Sequence, residues 1–392
     1  MWITGSLTQP ISDSDKTLAK AGEDNNDQQI PQQLHELWSA QTDSPDLVVD
    51  QGGVVLTADS KTTMVRGDSG EEVWHYDAPE KLCGVAANWE KTNLFLHGPK
   101  GCGQVVALDS STGEYRHTRD MLASNTVALF QSRDSIGMLA PSRTELLRYD
   151  LVRTVEVGEK KTSVKPNKQK YLECTFTSAL TRKELLATAQ TCPDKDTKLV
   201  RLLKTKPEDS DVPEEFHEYE VPAGSELVGI GLDHAVIYVP GNGTRAKDEK
   251  DYKGSRFQIL DKQGNFKQIP ADPAPLLDPH KRQGELFSAQ TADSAHAMSW
   301  FDGKRVVAFK PSTMEPRFQV EGAIGPAAPM GGRLLIPMQK GIGVVDWSNG
   351  ALLRTIPVDR KGYTGPVTLR LAGYVLVEKR GKSVVALGRE TR

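Results

Sequence analysis

The four cysteines of this 392-residue chain form two pairs of nearly equal spacing, Cys83 with Cys102 and Cys174 with Cys192, 19 and 18 residues apart. Sulfurs so spaced can form local disulfides, bind a metal or stay as free thiols. No Cys-x-x-Cys pair or clustered His accompanies them, which argues against zinc. Each pair straddles a predicted first-to-second strand turn, Asn88 to Thr92 in one case and Leu180 to Lys183 in the other. Antiparallel pairing then brings each pair to adjacent strand ends, within the short Cα separation that a disulfide needs. Two disulfides are expected, with free thiols as the alternative. Disulfides in turn imply an oxidising, extracytoplasmic compartment.

The second chemically legible group is basic. Lys160, Lys161, Lys165, Lys168 and Lys170 crowd one stretch, His280, Lys281 and Arg282 another, and Arg360 and Lys361 a third. Arg245, Lys247, Lys250 and Lys253 are diluted by Asp248, Glu249 and Asp251. Solvated loop charge is the plain reading. The sharper one is contact with anionic lipid headgroups or a phosphoinositol-based glycolipid, since each Lys or Arg near an anionic membrane gains about 1 kcal/mol. The net charge of -3 gives no support to a nucleic-acid partner.

Catalytic chemistry is harder to find. The sequence has no Gly-x-Ser-x-Gly, phosphate loop or dinucleotide fingerprint. His97, His234 and His296 are isolated from one another. Trp300, near Asp302, could stack a sugar, though an aromatic closing a strand is more often core. Asn242-Gly243-Thr244 is a glycosylation sequon and marks an exposed loop. No catalytic, cofactor-binding or metal-ligating residue is assigned.

The elements that position these residues are short. Runs of β-branched and aliphatic residues punctuated by Gly, Asp, Asn and Pro fill the chain from Leu34 onward, without a long period-3.6 stripe. A unit recurs: buried strand, loop, apolar strand often ending in Asp, Gly turn, more polar strand. One copy reads Asn93 to Leu96, Val105 to Asp109, Thr112-Gly113-Glu114 and Tyr115 to His117. Second strands fall near Val54, Leu94, Ile136, Leu186, Val236, Met298, Leu334 and Val375. Separations of about 40–50 residues suit propeller blades. The expectation is an all-β, eight-bladed β-propeller over residues 34–392, with seven blades as the alternative.

The last unit ends without an outer strand, and Glu36-Leu37-Trp38-Ser39-Ala40 has outer-strand character without partners of its own. Pairing the two would remove an exposed edge. Residues 1–33 are polar and read as a disordered tether following an N-terminal signal or membrane anchor. No run of about 18 apolar residues occurs. Of the connections, the long ones are expected on the face shared by outer-to-first and second-to-third strand loops: Glu159 to Lys170, Asn242 to Gly254, Ala271 to Gln283 and Gly98 to Gly103. The acidic Lys206 to Glu215 loop is assigned to the opposite face. Long loops on a rigid scaffold are where binding usually resides.

Ala107, Asp109, Thr112 and Gly113, with echoes at Asp68-Ser69-Gly70…Trp74 and Asp346…Gly350, resemble the repeat of pyrroloquinoline-quinone dehydrogenases and of the outer-membrane assembly lipoprotein sharing their fold. In that repeat the turn fixes the hairpin and a following Trp docks between blades. Here only Trp74 keeps the aromatic, with His117 and Arg354 at the equivalent places. Adjacent cysteines and a calcium-binding set, which several quinone enzymes carry, are missing, so no quinone or other cofactor is expected. The whole arrangement is also similar to extracytoplasmic propellers of membrane-anchored actinobacterial proteins acting in lipomannan and lipoarabinomannan synthesis. That resemblance implies a monomeric, non-catalytic domain, tethered to the plasma membrane, that binds a glycolipid or an envelope-biosynthesis protein. A scaffold subunit of a membrane complex and a degenerate quinone-type enzyme are the alternatives.

Overall fold

The computed structural model describes residues 11–12, 30–160, 168–241, 254–277, 286–293 and 298–389. Its strands form eight antiparallel sheets of the β-propeller class, each an up-and-down meander. Blades 1 to 8 span residues 48–77, 82–120, 128–158, 175–222, 226–270, 291–321, 328–357 and 367–388. All eight second strands expected from the sequence are second strands here.

Burial explains the residue pattern. Second strands flanked by sheets of their own unit read as continuous apolar runs; in blade 5, Ala235 to Val239 is buried at every position. Outer strands have one solvated flank and alternate, as Tyr115–Asp120 does.

Contacts divide the chain into two compact units: residues 1–126 with 324–392, carrying blades 1, 2, 7 and 8, and residues 127–323, carrying blades 3 to 6. In the first unit, blade 8 takes its outer strand from the N-terminal segment. His35–Gln41 pairs with Ser383–Gly388, with Trp38 opposite Ala386 and Ala40 opposite Val384. The chain's two ends thus complete one sheet. Just ahead of that strand, Arg354 donates to the carbonyls of Ile30 and Pro31, and Ile30 and Leu34 pack against the core of blades 7 and 8. Ile11–Ser12 adds a short fifth strand to blade 1.

Two tryptophans lock neighbouring blades of this unit. Trp74 leaves blade 1 and donates to Ser110 O of blade 2 at 2.9 Å. Trp38 of the N-terminal strand donates to Gly67 O of blade 1 at 2.9 Å. Each indole lies on a turn glycine, Gly113 (φ 74°) and Gly70 (φ 73°), where a Cβ would come within 2.7 and 2.8 Å of the ring. Any side chain there would meet both the indole and a left-handed backbone. In the second unit His217 of blade 4 sits on Gly264 of blade 5 in the same manner. Next to it the Tyr219 hydroxyl donates to Asp261 O and Asn265 O.

A half-buried acid marks the seam of blades 1 and 2. Asp50 Oδ2 accepts from Ser110 Oγ at 2.6 Å, and Ser110 in turn contacts Thr92 Oγ1 at 2.9 Å. Burial pushes the Asp50 carboxyl up to about 6, against the hydrogen bond from Ser110. The folded chain therefore binds this proton more tightly than the unfolded chain, and stability falls as pH rises from about 4 to about 6. A shift of this size corresponds to about 1–3 kcal/mol after discounting for the side chain's partial solvent contact. Asp50→Asn is expected to melt higher than the parent at pH 7 and equally at pH 4. Parallel melting curves across that range would remove Asp50 as the cause.

Candidate functional site

Cys83 and Cys102 are bonded, with Cα atoms 5.8 Å apart, as are Cys174 and Cys192 at 4.2 Å. The second pair joins adjacent strand ends as expected, flanking Thr175–Arg182 and Leu185–Thr191. The first reaches further. Cys83 lies in the inner strand Leu82–Asn88 and Cys102 in the third strand Gly101–Asp109, so the bond passes the end of the second strand. The expected loop from Gly98 to Gly103 is instead a tight turn, with Gly98 opposite Gly101.

The basic residues have separate fates. Lys161, Lys165, Lys281 and Arg282 lie outside the described residues, as do the sequon and His296. Lys168 is exposed. Lys170 is exposed and paired with Glu215 at 2.8 Å and Glu218 at 3.5 Å; the bond to Glu215 raises its pKa. Lys160 is nearly buried, its ammonium held by the carbonyl and carboxylate of Asp211. The acidic loop, assigned to the other face, therefore meets the basic one. It runs along the outer strand of blade 3, where Ser210 O accepts from Glu156 N at 2.8 Å. Gln169 links Gly158 N, Glu156 O and Asp211 O. A bare strand edge is covered in this way. Beneath it Arg201, 1% exposed, pairs with Glu215 and lies 5.4 Å from the Tyr171 ring centroid.

Other sequence candidates are structural. Trp300 is buried, 5.6 Å from Tyr238 and 6.1 Å from Phe257 between ring centroids, so it is core and not a sugar platform. Asp302 receives the Arg305 guanidinium at 2.7 Å. His97 Nε2 contacts Asn125 Oδ1 at 3.0 Å. Among the described residues no three His, Cys, Asp or Glu side chains gather as metal ligands.

Arg360 and Lys361 lead to a cleft. Strand register builds its floor in blade 8: Arg380 stands opposite Ser383, Glu378 opposite Val385, and Val385 opposite Ser39 of the N-terminal strand. Alternation puts these five on one side of the sheet. A bulge between Glu36 and Trp38 resets the strand so that Glu36 joins them. Val385 and Leu387 on this side pack against Leu335, Ile342 and Val344 of blade 7, so the polar group sits at the end of an apolar seam.

Over it passes the 358–366 connection. Arg360 turns inward, contrary to the expectation of a ligand-facing residue. Its guanidinium pairs with both Glu378 oxygens, at 2.7 and 2.9 Å, and donates to Met338 O at 2.6 Å and Gly341 O at 3.1 Å. Arg380 Nε donates to the same carboxylate at 2.8 Å. Glu378 is wholly buried, whereas Arg380 is 7% exposed and its Nη2 has no hydrogen-bond partner. Lys361 is exposed and pairs with Glu36 at 2.8 Å. That bond, against slight burial, holds the Glu36 carboxyl below its ordinary value, and Ser39 also donates to it. Between these groups lies a cleft of about 200 Å³, lined by Glu36, Ser39, Arg360, Lys361, Tyr363, Arg380, Ser383 and Val385. Among the lining residues and Glu378, three cations (Arg360, Lys361, Arg380) meet two anions (Glu36, Glu378), an excess of one positive charge within that group; the exposed Asp359 carboxylate lies on the same connection and accepts from Lys361 N at 2.8 Å.

No known protein family and no curated protein matches the chain. Solved structures do. The computationally designed Ika8 protein aligns with TM-score 0.56 at 13% identity over 90% of this chain and 98% of its own. The quinohemoprotein alcohol dehydrogenase ADHIIG from Pseudomonas putida HK5 aligns with TM-score 0.50 at 10% identity, covering 90% and 76%. BamB from Moraxella catarrhalis gives TM-score 0.49 at 13% identity, covering 91% and 100%. At these identities the likeness is one of fold.

Proposed function

We propose that the protein is a non-catalytic, extracytoplasmic binding propeller whose cleft between blades 7 and 8 engages an anionic glycolipid or an envelope-biosynthesis protein. The buried Arg380 guanidinium beside that cleft, with Nη2 unpartnered, carries the reading. The floor of the cleft is made of paired strands, so Arg380 and Ser383 are held in place before a ligand arrives and little ordering cost is added there on binding. Two disulfides suit an oxidising compartment, and among the described residues no helix is long and apolar enough to cross a membrane. An N-terminal segment would tether the domain to the plasma membrane. Lipomannan and lipoarabinomannan assembly is the process that the actinobacterial resemblance selects for testing.

Co-sedimentation with vesicles checks this. The protein is expected to bind vesicles containing phosphatidylinositol and to ignore zwitterionic ones. Binding should weaken at least about tenfold in Lys361→Glu, because each cation near an anionic surface contributes about 1 kcal/mol and the reversal also adds a repelling charge. Equal binding to both vesicle types would defeat the lipid reading. Native mass spectrometry showing a membrane protein and no envelope lipid would make the protein a scaffold instead.

A further inference from the structure

We infer that the cleft is an oxyanion site, built for a phosphate or phosphodiester group gripped by Arg380 and Ser383 with Lys361 at its mouth. This deepens the reading of the cleft as a binding site and is independent of the lipoglycan process.

The argument begins with what each lining group has left to give. Arg360 is spent on Glu378 and on backbone carbonyls. Glu36 is satisfied by Lys361 and Ser39, so it does not call for a bound cation. Tyr363 donates its hydroxyl proton to Pro366 O at 2.9 Å. Arg380 is different: it is more than nine-tenths buried, one edge is fixed by Glu378, and Nη2 is unpartnered. A buried donor left unpaired is destabilising, and more so when it is charged. An acceptor supplied by a ligand would recover that cost.

The chemistry of the acceptor follows from the donors. A guanidinium edge and a cross-strand hydroxyl match two oxygens of one tetrahedral or planar oxyanion. The excess of one positive charge favours a monoanion. Size does not restrict the site to a bare ion: a cleft of about 200 Å³ has room for a phosphate with part of the alcohol it esterifies. A free phosphate and a lipid headgroup share this chemistry.

The test uses the whole chain and three probes: inorganic phosphate, glycerol phosphate, and phosphatidylinositol vesicles. Thermal shift should rise saturably with inorganic phosphate and not with chloride at matched ionic strength. Glycerol phosphate should act at concentrations at least tenfold lower if an ester is the natural ligand. Ser383→Asp puts a carboxylate beside Arg380. It should raise the melting temperature without phosphate and abolish the phosphate response. Arg380→Gln should lose the response as well, with Ser383→Asp as the well-folded control. A phosphate response equal in Ser383→Asp and the parent, or no saturable response in the parent, overturns the site. Phosphate binding without vesicle binding keeps the site and rejects the lipid. Vesicle binding that survives Ser383→Asp unchanged keeps a lipid surface and rejects the cleft.

Discussion

Arg360→Ala is expected to cost about 3–5 kcal/mol of stability, more than any surface substitution in the molecule. The residue belongs to an Arg-Lys pair on a long connection, where charge is usually solvated and individually worth little. Here it is 6% exposed and joins three segments. It neutralises Glu378 of blade 8, which has no solvent contact, and it accepts the duty of pairing the carbonyls of Met338, Gln339 and Gly341 at a turn of blade 7. Truncation leaves the carboxylate with Arg380 alone and strands those carbonyls. Breaking a buried pair from one side is costly because the remaining charge stays desolvated. Arg360→Lys keeps the charge but cannot bridge carboxylate and carbonyls together, so it should lose about half as much. Glu378→Gln should be at least as harmful as Arg360→Ala, since two guanidiniums then share one buried site without a counter-ion. Urea midpoints and hydrogen exchange over residues 338–341 read both effects. A loss under about 1 kcal/mol for Arg360→Ala would show that this ion pair is not what fastens blade 7 to blade 8.

The fold was open to reading because its signal is local and repeated. Val54, Leu94, Ile136, Leu186, Val236, Met298, Leu334 and Val375 all lie in second strands, and a strand buried between sheets announces itself as an apolar run. Glu36 to Ala40 was likewise legible as an outer strand in search of a sheet. Trp38 docks on Gly70 because that strand carries it there, a role hidden until the pairing partner is known. The site was only half legible. Arg360 and Lys361 are adjacent and look alike in sequence, yet one is buried and the other exposed. What separates them is Glu378, whose inward direction depends on register with Val385 and Ser39. Arg380 carried no signal, being one more charge at a strand end. Sequence assigns Lys160 and the acidic loop to different faces; their meeting at Asp211 depends on how far a ten-residue connection can run along a strand, which composition does not encode.

Removing either disulfide should lower stability by about 3 kcal/mol, and removing both by about twice that. In the chain-entropy account, closing a loop of 18 or 19 residues restricts the unfolded chain by about 3 kcal/mol. The two loops do not overlap and share no partners, so their effects should add. Native packing contributes in the same direction. Cys174 and Cys192 are buried with Leu199 and flanked by Tyr171, and Cys102 is 2% exposed. Serine in their place puts hydroxyls where sulfur made apolar contacts. Cys83 is the least buried of the four, so a reductant should open the blade 2 bond before the blade 4 bond. Thermal melts of Cys83→Ser/Cys102→Ser, Cys174→Ser/Cys192→Ser and the quadruple variant, with mass-spectrometric timing of thiol appearance, measure this. If the fully reduced protein melts where the oxidised one does, the bonds do not hold the blades. The inference from sulfur to an oxidising compartment would then lose its energetic basis.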